Sequence, residues 1–120
     1  MKTFLLKEIF KDNRGVISSI MVGGKSWREI NMITTKKGVV RGNHFHKETE
    51  EFLFLMKGKI QLDIVDAKTN EKFTQFIEKN QGVVIEPYEY HTITTLEDTT
   101  WIAALTVCYN PKNPDMHQLG

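Results

Sequence analysis

The 120 residues predict an all-β protein, a sandwich or barrel of short strands forming one domain over residues 1–120. Three observations carry this. In KIQLDIV (59 to 65), Ile60, Leu62 and Ile64 alternate with Gln61 and Asp63, the period-two pattern of a half-buried strand. Turn signals separate short runs of this kind at regular spacing, and no stretch sustains a helical period. A chain of this length also holds one hydrophobic core and not two.

TFLLKEIF (3 to 10) reads as the first strand, closed by the turn residues Lys11 to Gly15, and VISSIMV (16 to 22) as the second, broken by Gly23 and Gly24. SWREINMITT (26 to 35) begins as a turn and continues as strand until Lys36, Lys37 and Gly38. Residues 38 to 58, GVVRGNHFHKETEEFLFLMKG, form two strands around the polar turn Lys47, Glu48, Thr49 and Glu50. KIQLDIV follows, then the turn DAKTN, the strand EKFTQFIE and the turn KNQG at 79 to 82. VVIE, HTITTL and TWIAALTVC are the last three strands, with Glu97, Asp98 and Thr99 at a hairpin tip.

The charge balance, 16 basic against 15 acidic residues with no basic block, gives no nucleic-acid footprint. The single Cys108 excludes an internal disulfide framework and fits a reducing compartment. MKTFLLKEIF has too short an apolar run for a signal peptide, and no stretch is long enough to span a bilayer. The expectation is a soluble, cytoplasmic protein with no membrane partner.

The chemistry concentrates in residues 38 to 58. His44 and His46 lie two apart, so on a strand both imidazoles share one face, and Glu51 opens the next strand close to them. Two neutral imidazoles and a carboxylate suit a divalent metal of the zinc, nickel, iron or manganese kind. His91, in PYEYH, is the downstream candidate for a fourth ligand. His117 stands alone in the tail and reads as a surface residue; Glu50, rival to Glu51, falls in the turn as a solvated charge. If Glu51 faces inward, Leu53 and Leu55 share its face, while Phe52, Phe54 and Met56 point outward, as Phe45 does opposite the histidines. That outer face needs cover. The chain's own N-terminal strand, with Phe4, Leu5, Leu6 and Phe10, would supply it, or the same strand of a second subunit; the expectation is a homodimer.

Gly38, His44, His46, Glu51 and Gly58 fill every position of a spacing that resembles the first motif of the cupins. GVVIEPYEYH (82 to 91) resembles their second motif at Gly82, Pro87 and His91, with Glu89 where glycine is common. The resemblance implies a cupin double-stranded β-helix, the jelly-roll barrel. KDNRG (11 to 15) and VVRGNHFHK (39 to 47) further resemble the dTDP-4-dehydrorhamnose 3,5-epimerases and the dTDP-4-keto-6-deoxyglucose 3,4-ketoisomerases. RGNHFHK, Glu51 and the tail YNPKNPD (109 to 115) are similar to the C-terminal cupin domain of bifunctional capsular-polysaccharide enzymes. These resemblances imply an epimerase or ketoisomerase acting on a nucleotide-linked 4-keto sugar. Tyr90 would then return a proton and Arg41 hold the diphosphate, provided that Gly42 makes a bulge turning Arg41 inward. The families disagree about His44: in the epimerases its counterpart is the catalytic base, whereas Glu51 beside two histidines favours a metal and makes His44 a ligand. Zinc or nickel would be the leading metals. A metal-dependent oxygenase or sugar-phosphate isomerase, and a non-catalytic sugar-binding module, are the alternative functions.

Overall fold

The computed structural model describes residues 1–20, 22 and 26–120, in which strands are joined by turns and no helix occurs. In chain order the strands are β1 (Lys2–Leu5), β2 (Lys7–Asp12), β3 (Gly15–Ser19), β4 (Glu29–Thr35), β5 (Val40–His44), β6 (Glu51–Lys57), β7 (Lys59–Asp66), β8 (Lys72–Glu78), β9 (Gln81–Ile85), β10 (Glu89–Thr95) and β11 (Thr99–Leu105). Five strands pair in the order β1-β9-β6-β11-β4, four in the order β5-β10-β7-β8, and β2 pairs with β3 as a separate hairpin. Every pairing is antiparallel. No helix of the described residues is long and apolar enough to cross a membrane.

Alternation builds the core. Leu53, Leu55, Val83, Ile85, Trp101 and Ala103 of the larger sheet pack against Ile60, Leu62, Ile64, Ile77 and Ile93 of the smaller one in one buried cluster. Truncating one of these large side chains to alanine would destabilise the fold by roughly 2–5 kcal/mol. The period-two reading of KIQLDIV is met: Ile60, Leu62 and Ile64 are buried and the residues between them only partly so.

The N-terminal expectation is corrected. The strand expected over residues 3 to 10 breaks at Leu6, whose N–H donates to the Asn80 carbonyl at 3.1 Å. The strand expected over residues 16 to 22 ends at Ser19; Met21 and the Gly23–Gly24 break lie outside the described residues. The outer face of β6 is covered by the chain itself at Phe52 and in part at Phe54, while Met56 stays exposed. Phe52 is buried beneath Phe4, edge-on at 6.4 Å, and Trp27 at 6.0 Å, with Ile20, Val22, Val84 and Ala104 around it. Phe45, also buried, lies under Tyr88 at 5.7 Å and His117 at 5.5 Å. Leu5 and Phe10, expected as part of the cover, are instead exposed.

Candidate functional site

β5 and β10 bring the histidines together. His44 stands opposite His91 across the antiparallel pair, and the next pair is Thr92 with Gly42, so Asn43 has no partner of its own. That bulge is possible because Gly42 (φ +90°) and Asn43 (φ 60°) both take positive φ. A Cβ on Gly42 would lie 2.6 Å from the His91 carbonyl oxygen, so glycine is also required by the closeness of β10. The bulge resets the parity of β5, and Arg41 lines the same cavity as the histidines. Its Nε donates to Thr35 Oγ1 at 2.7 Å and its Nη2 to the Thr34 carbonyl at 3.4 Å.

The cavity, about 650 Å³, is lined among others by Arg41, His44, His46, Glu51, His91 and Trp101. The ring centroids of His44 lie 4.9 Å from His46 and 4.7 Å from His91, with 5.2 Å between His46 and His91. One ligand nitrogen from each ring lies within 4.8 Å of the other two. Glu51 Oε1 is 3.6 Å from His46 Nε2, close enough for charge attraction and too far for a hydrogen bond.

Two rings are fixed by backbone carbonyls. His91 Nδ1 lies 3.0 Å from the Glu89 oxygen and His46 Nδ1 2.5 Å from the Asp115 oxygen. A carbonyl only accepts, so each Nδ1 carries the hydrogen and each neutral ring keeps its lone pair on Nε2. His46 Nε2 and Trp101 Nε1 are buried with no hydrogen-bond partner, which costs about 1–3 kcal/mol each unless something enters the cavity to meet them.

Burial lowers the pKa of His44 to about 4, helped by the charge that His91 and His46 would carry. Burial likewise lowers that of His91. For His46 burial also acts downward, but the Glu51 carboxylate and the Asp115 carbonyl outweigh it and raise the value. Glu51 is held below its ordinary range, its burial overcome by the three imidazoles. His44 and His91 are therefore neutral near pH 7, with lone pairs free for a metal or a proton.

The structure thus gathers His44, His46, Glu51, His91 and Arg41 around one cavity. It does not bring Tyr90 there: next to the inward His91 on β10, Tyr90 falls on the opposite face and is not among the lining residues. The expectation for His117 is also corrected. It forms an isolated bridge with Phe45, its Nε2 lies 2.9 Å from Asp115 Oδ1, and it borders the cavity. Glu50 lies in the turn before β6, its N–H donating to Thr106 Oγ1 at 2.9 Å. The C-terminal tail was missed as a wall of the site; Tyr109, Asn113, Asp115 and Met116 all line the cavity. The run YNPKNPD was the available signal, but nothing in its pattern says where it docks.

The polysaccharide biosynthesis C-terminal domain family matches residues 10–117, and the chain belongs to that family. A search of curated proteins returned no match. The chain is similar in fold to the TDP-quinovose 3,4-ketoisomerase WlaRB of Campylobacter jejuni, with 20% identity, a TM-score of 0.79, and 98% of this chain and 91% of that one covered. It is also similar to the sugar 3,4-ketoisomerase QdtA of Thermoanaerobacterium thermosaccharolyticum in complex with TDP, with 18% identity, a TM-score of 0.75 and coverage of 96% and 85%. The capsular polysaccharide assembling protein CapF of Staphylococcus aureus matches at 22% identity and a TM-score of 0.72 over 97% of this chain, which spans only 34% of CapF. The fold is the cupin double-stranded β-helix, as the resemblance carried by His44, His46 and Glu51 implied.

Proposed function

We propose that this cupin holds a divalent transition metal, zinc or nickel first, between His44, His46, Glu51 and His91, and acts as an epimerase or ketoisomerase on a nucleotide-linked 4-keto-6-deoxy sugar. The observation that carries the metal is the converging set of ring nitrogens, two of them aimed by carbonyl acceptors, beside a partly buried carboxylate. Support for the substrate class comes from the family and from ketoisomerases of the same fold, one of them in complex with TDP.

Bound there, the metal would supply a Lewis acid for a ketone oxygen. The chain's own residues do the rest. Arg41, held at the cavity wall by Thr35, offers a fixed guanidinium to a diphosphate. Trp101, also in the cavity wall, has a buried N–H with no hydrogen-bond partner. His44, half-buried where His46 and His91 are buried, is the most open of the three rings. Neutral at pH 7, it accepts a proton from the carbon beside the ketone when no metal claims its lone pair. A positioned base of this kind contributes typically about 10²–10⁴-fold.

Incubation in heavy water with dTDP- or UDP-linked 4-keto-6-deoxy sugars tests the reading, with metal-loaded and metal-free protein side by side. Deuterium should enter the sugar above the protein-free rate and fall away in His46→Ala. No incorporation with any such sugar would leave a sugar-binding module as the better reading. Metal content of untagged protein, wild type against Glu51→Gln, tests the ligand set separately: equal content would remove Glu51 from it.

A homodimer belongs to the same proposal. Among the described residues the β2–β3 hairpin pairs with no other strand and exposes Ile9, Phe10, Val16 and Ile17, while edge strand β4 exposes Ile30 and Met32. A lone two-stranded hairpin is marginal in water, so burial against a second copy accounts for both surfaces. Light scattering should give twice the monomer mass; a monomer at micromolar concentration would refute it.

A further inference from the structure

The tail segment around Asp115 is bound to the site more tightly than a connecting segment requires. Asp115 Oδ1 accepts from the Lys47 N–H at 2.8 Å and lies 2.9 Å from His117 Nε2. Oδ2 accepts from the N–H groups of Glu48 at 2.8 Å and Thr49 at 2.9 Å, and from Thr49 Oγ1 at 2.9 Å. The carboxylate thus fills the concave row of amides in the turn between β5 and β6, a geometry suited to an anion. Just beyond it, Phe45 and His117 exchange backbone hydrogen bonds at 3.0 and 2.9 Å, and Gln118 Nε2 donates to the Asn43 carbonyl at 2.8 Å. Asp115 is thereby held on both sides, and its own carbonyl oxygen is the atom that faces His46 Nδ1.

We infer that Asp115 is a positioning residue for the site: its carboxylate fastens the tail to the β5–β6 turn so that its backbone carbonyl keeps His46 in the Nδ1–H form with Nε2 directed at Glu51 and the cavity. The inference rests on the reading that His46 is a site residue. It also gives YNPKNPD a role, since this run carries the chain from the end of β11 along the cavity wall to the point where Asp115 docks. His91 is oriented in the same way by Glu89, two residues away on its own strand, so its ring does not depend on the tail.

That independence provides the control. In ¹⁵N-labelled, metal-free protein at alkaline pH, two-bond proton–nitrogen spectra report which nitrogen of each neutral ring carries the hydrogen. Wild type should show Nδ1–H for both His46 and His91. In Asp115→Ala, His46 should become a mixture or reverse while His91 stays unchanged. Asp115→Asn, which keeps one acceptor oxygen and the side-chain volume, should be intermediate, and it supplies the comparison if the alanine variant does not fold. Cobalt(II) titration of the same samples should show affinity reduced roughly 10–100-fold in the alanine variant and partly restored in the asparagine one. An unchanged His46 pattern in both variants would overturn the inference. So would His46 and His91 changing together, which would mean general loosening. A wild type that binds no cobalt would sink the metal reading, while the nitrogen spectra would still decide the role of Asp115.

Discussion

His91 and His46 lie in one cavity with their ring centroids 5.2 Å apart, yet they are oriented by different kinds of structure. The acceptor for His91 Nδ1 is two residues away on the same strand; that for His46 is 69 residues away in the tail. The first arrangement is built as soon as β10 forms. The second requires the whole chain to have folded and the tail to have docked. A site supported in this way has a rigid half and a half that can be loosened without unfolding the barrel, and substitutions should separate the two.

The largest effect is expected on the strand side, at Gly42. Alanine there would have to adopt φ near +90° and place its Cβ 2.6 Å from the His91 carbonyl oxygen, which belongs to β10 backbone and has little room to yield. Backbone strain of this kind is worth about 1–3 kcal/mol, and moving β5 off β10 adds to it. Gly42→Ala should therefore lose about 3 kcal/mol in urea denaturation and displace His44, His91 and Arg41 together. A loss below about 0.5 kcal/mol, the size of an ordinary surface change, would show that the bulge is not the fixed point of the site.

Much of this was legible in the sequence, and what was missed has physical causes. Alternation placed His44 and His46 on one face and put Leu53 and Leu55 beside Glu51, because strand parity is a local rule. Gly42 signalled the bulge that turns Arg41 inward, since a glycine in a strand marks a site of close approach. The same parity argument, applied one residue further along, moves Tyr90 away from His91. The break at Leu6 was not legible: the change there from the apolar Phe4, Leu5 and Leu6 to the charged Lys7 and Glu8 is as compatible with one continuous strand as with two. The docking of Asp115 onto residues 47 to 49 was not legible either. It joins segments 66 to 68 residues apart, and an aspartate that accepts three amides looks in sequence like any turn aspartate.

A smaller effect should appear in the pH dependence of the metal-free protein. His44, lowered to about 4, and His91, also lowered, bind protons more readily in the unfolded chain, so stability is lost at His44 as pH falls from about 6.5 toward 4 and at His91 as pH falls below about 6.5. His46, raised, has the opposite sign: its contribution is complete below about 6.5 and is lost as pH rises through its folded value. Glu51, lowered, adds a loss at the acid end, below its ordinary range. The metal-free protein should accordingly be most stable near neutrality. His44→Asn should flatten the decline between pH 7 and pH 5, leaving the His91 part, as read from urea midpoints in the presence of chelator. A variant that declines as steeply as wild type would mean that His44 is protonated as easily folded as unfolded.

The smallest effect, and the finest test of the comparison, is expected at Thr49. This buried residue gives Asp115 two donors, its N–H and its hydroxyl, both at 2.9 Å to Oδ2. Thr49→Val keeps the amide and the shape and removes only the hydroxyl. The carboxylate retains the amides of Lys47, Glu48 and Thr49, so the tail should stay docked while its hold weakens. Loss of one hydrogen bond to this partly exposed charged group corresponds to the low end of about 1.5–3 kcal/mol in urea denaturation, less than for Gly42→Ala. The nitrogen pattern of His46 should stay on the wild-type side of Asp115→Ala, and that of His91 should not move at all. If Thr49→Val instead released His46 as fully as Asp115→Ala, the hydroxyl would be the fastening that matters and the row of amides only a neighbour to it. If it disturbed His91, the two halves of the site would be one mechanical unit, and the contrast between local and tail-borne support would fail.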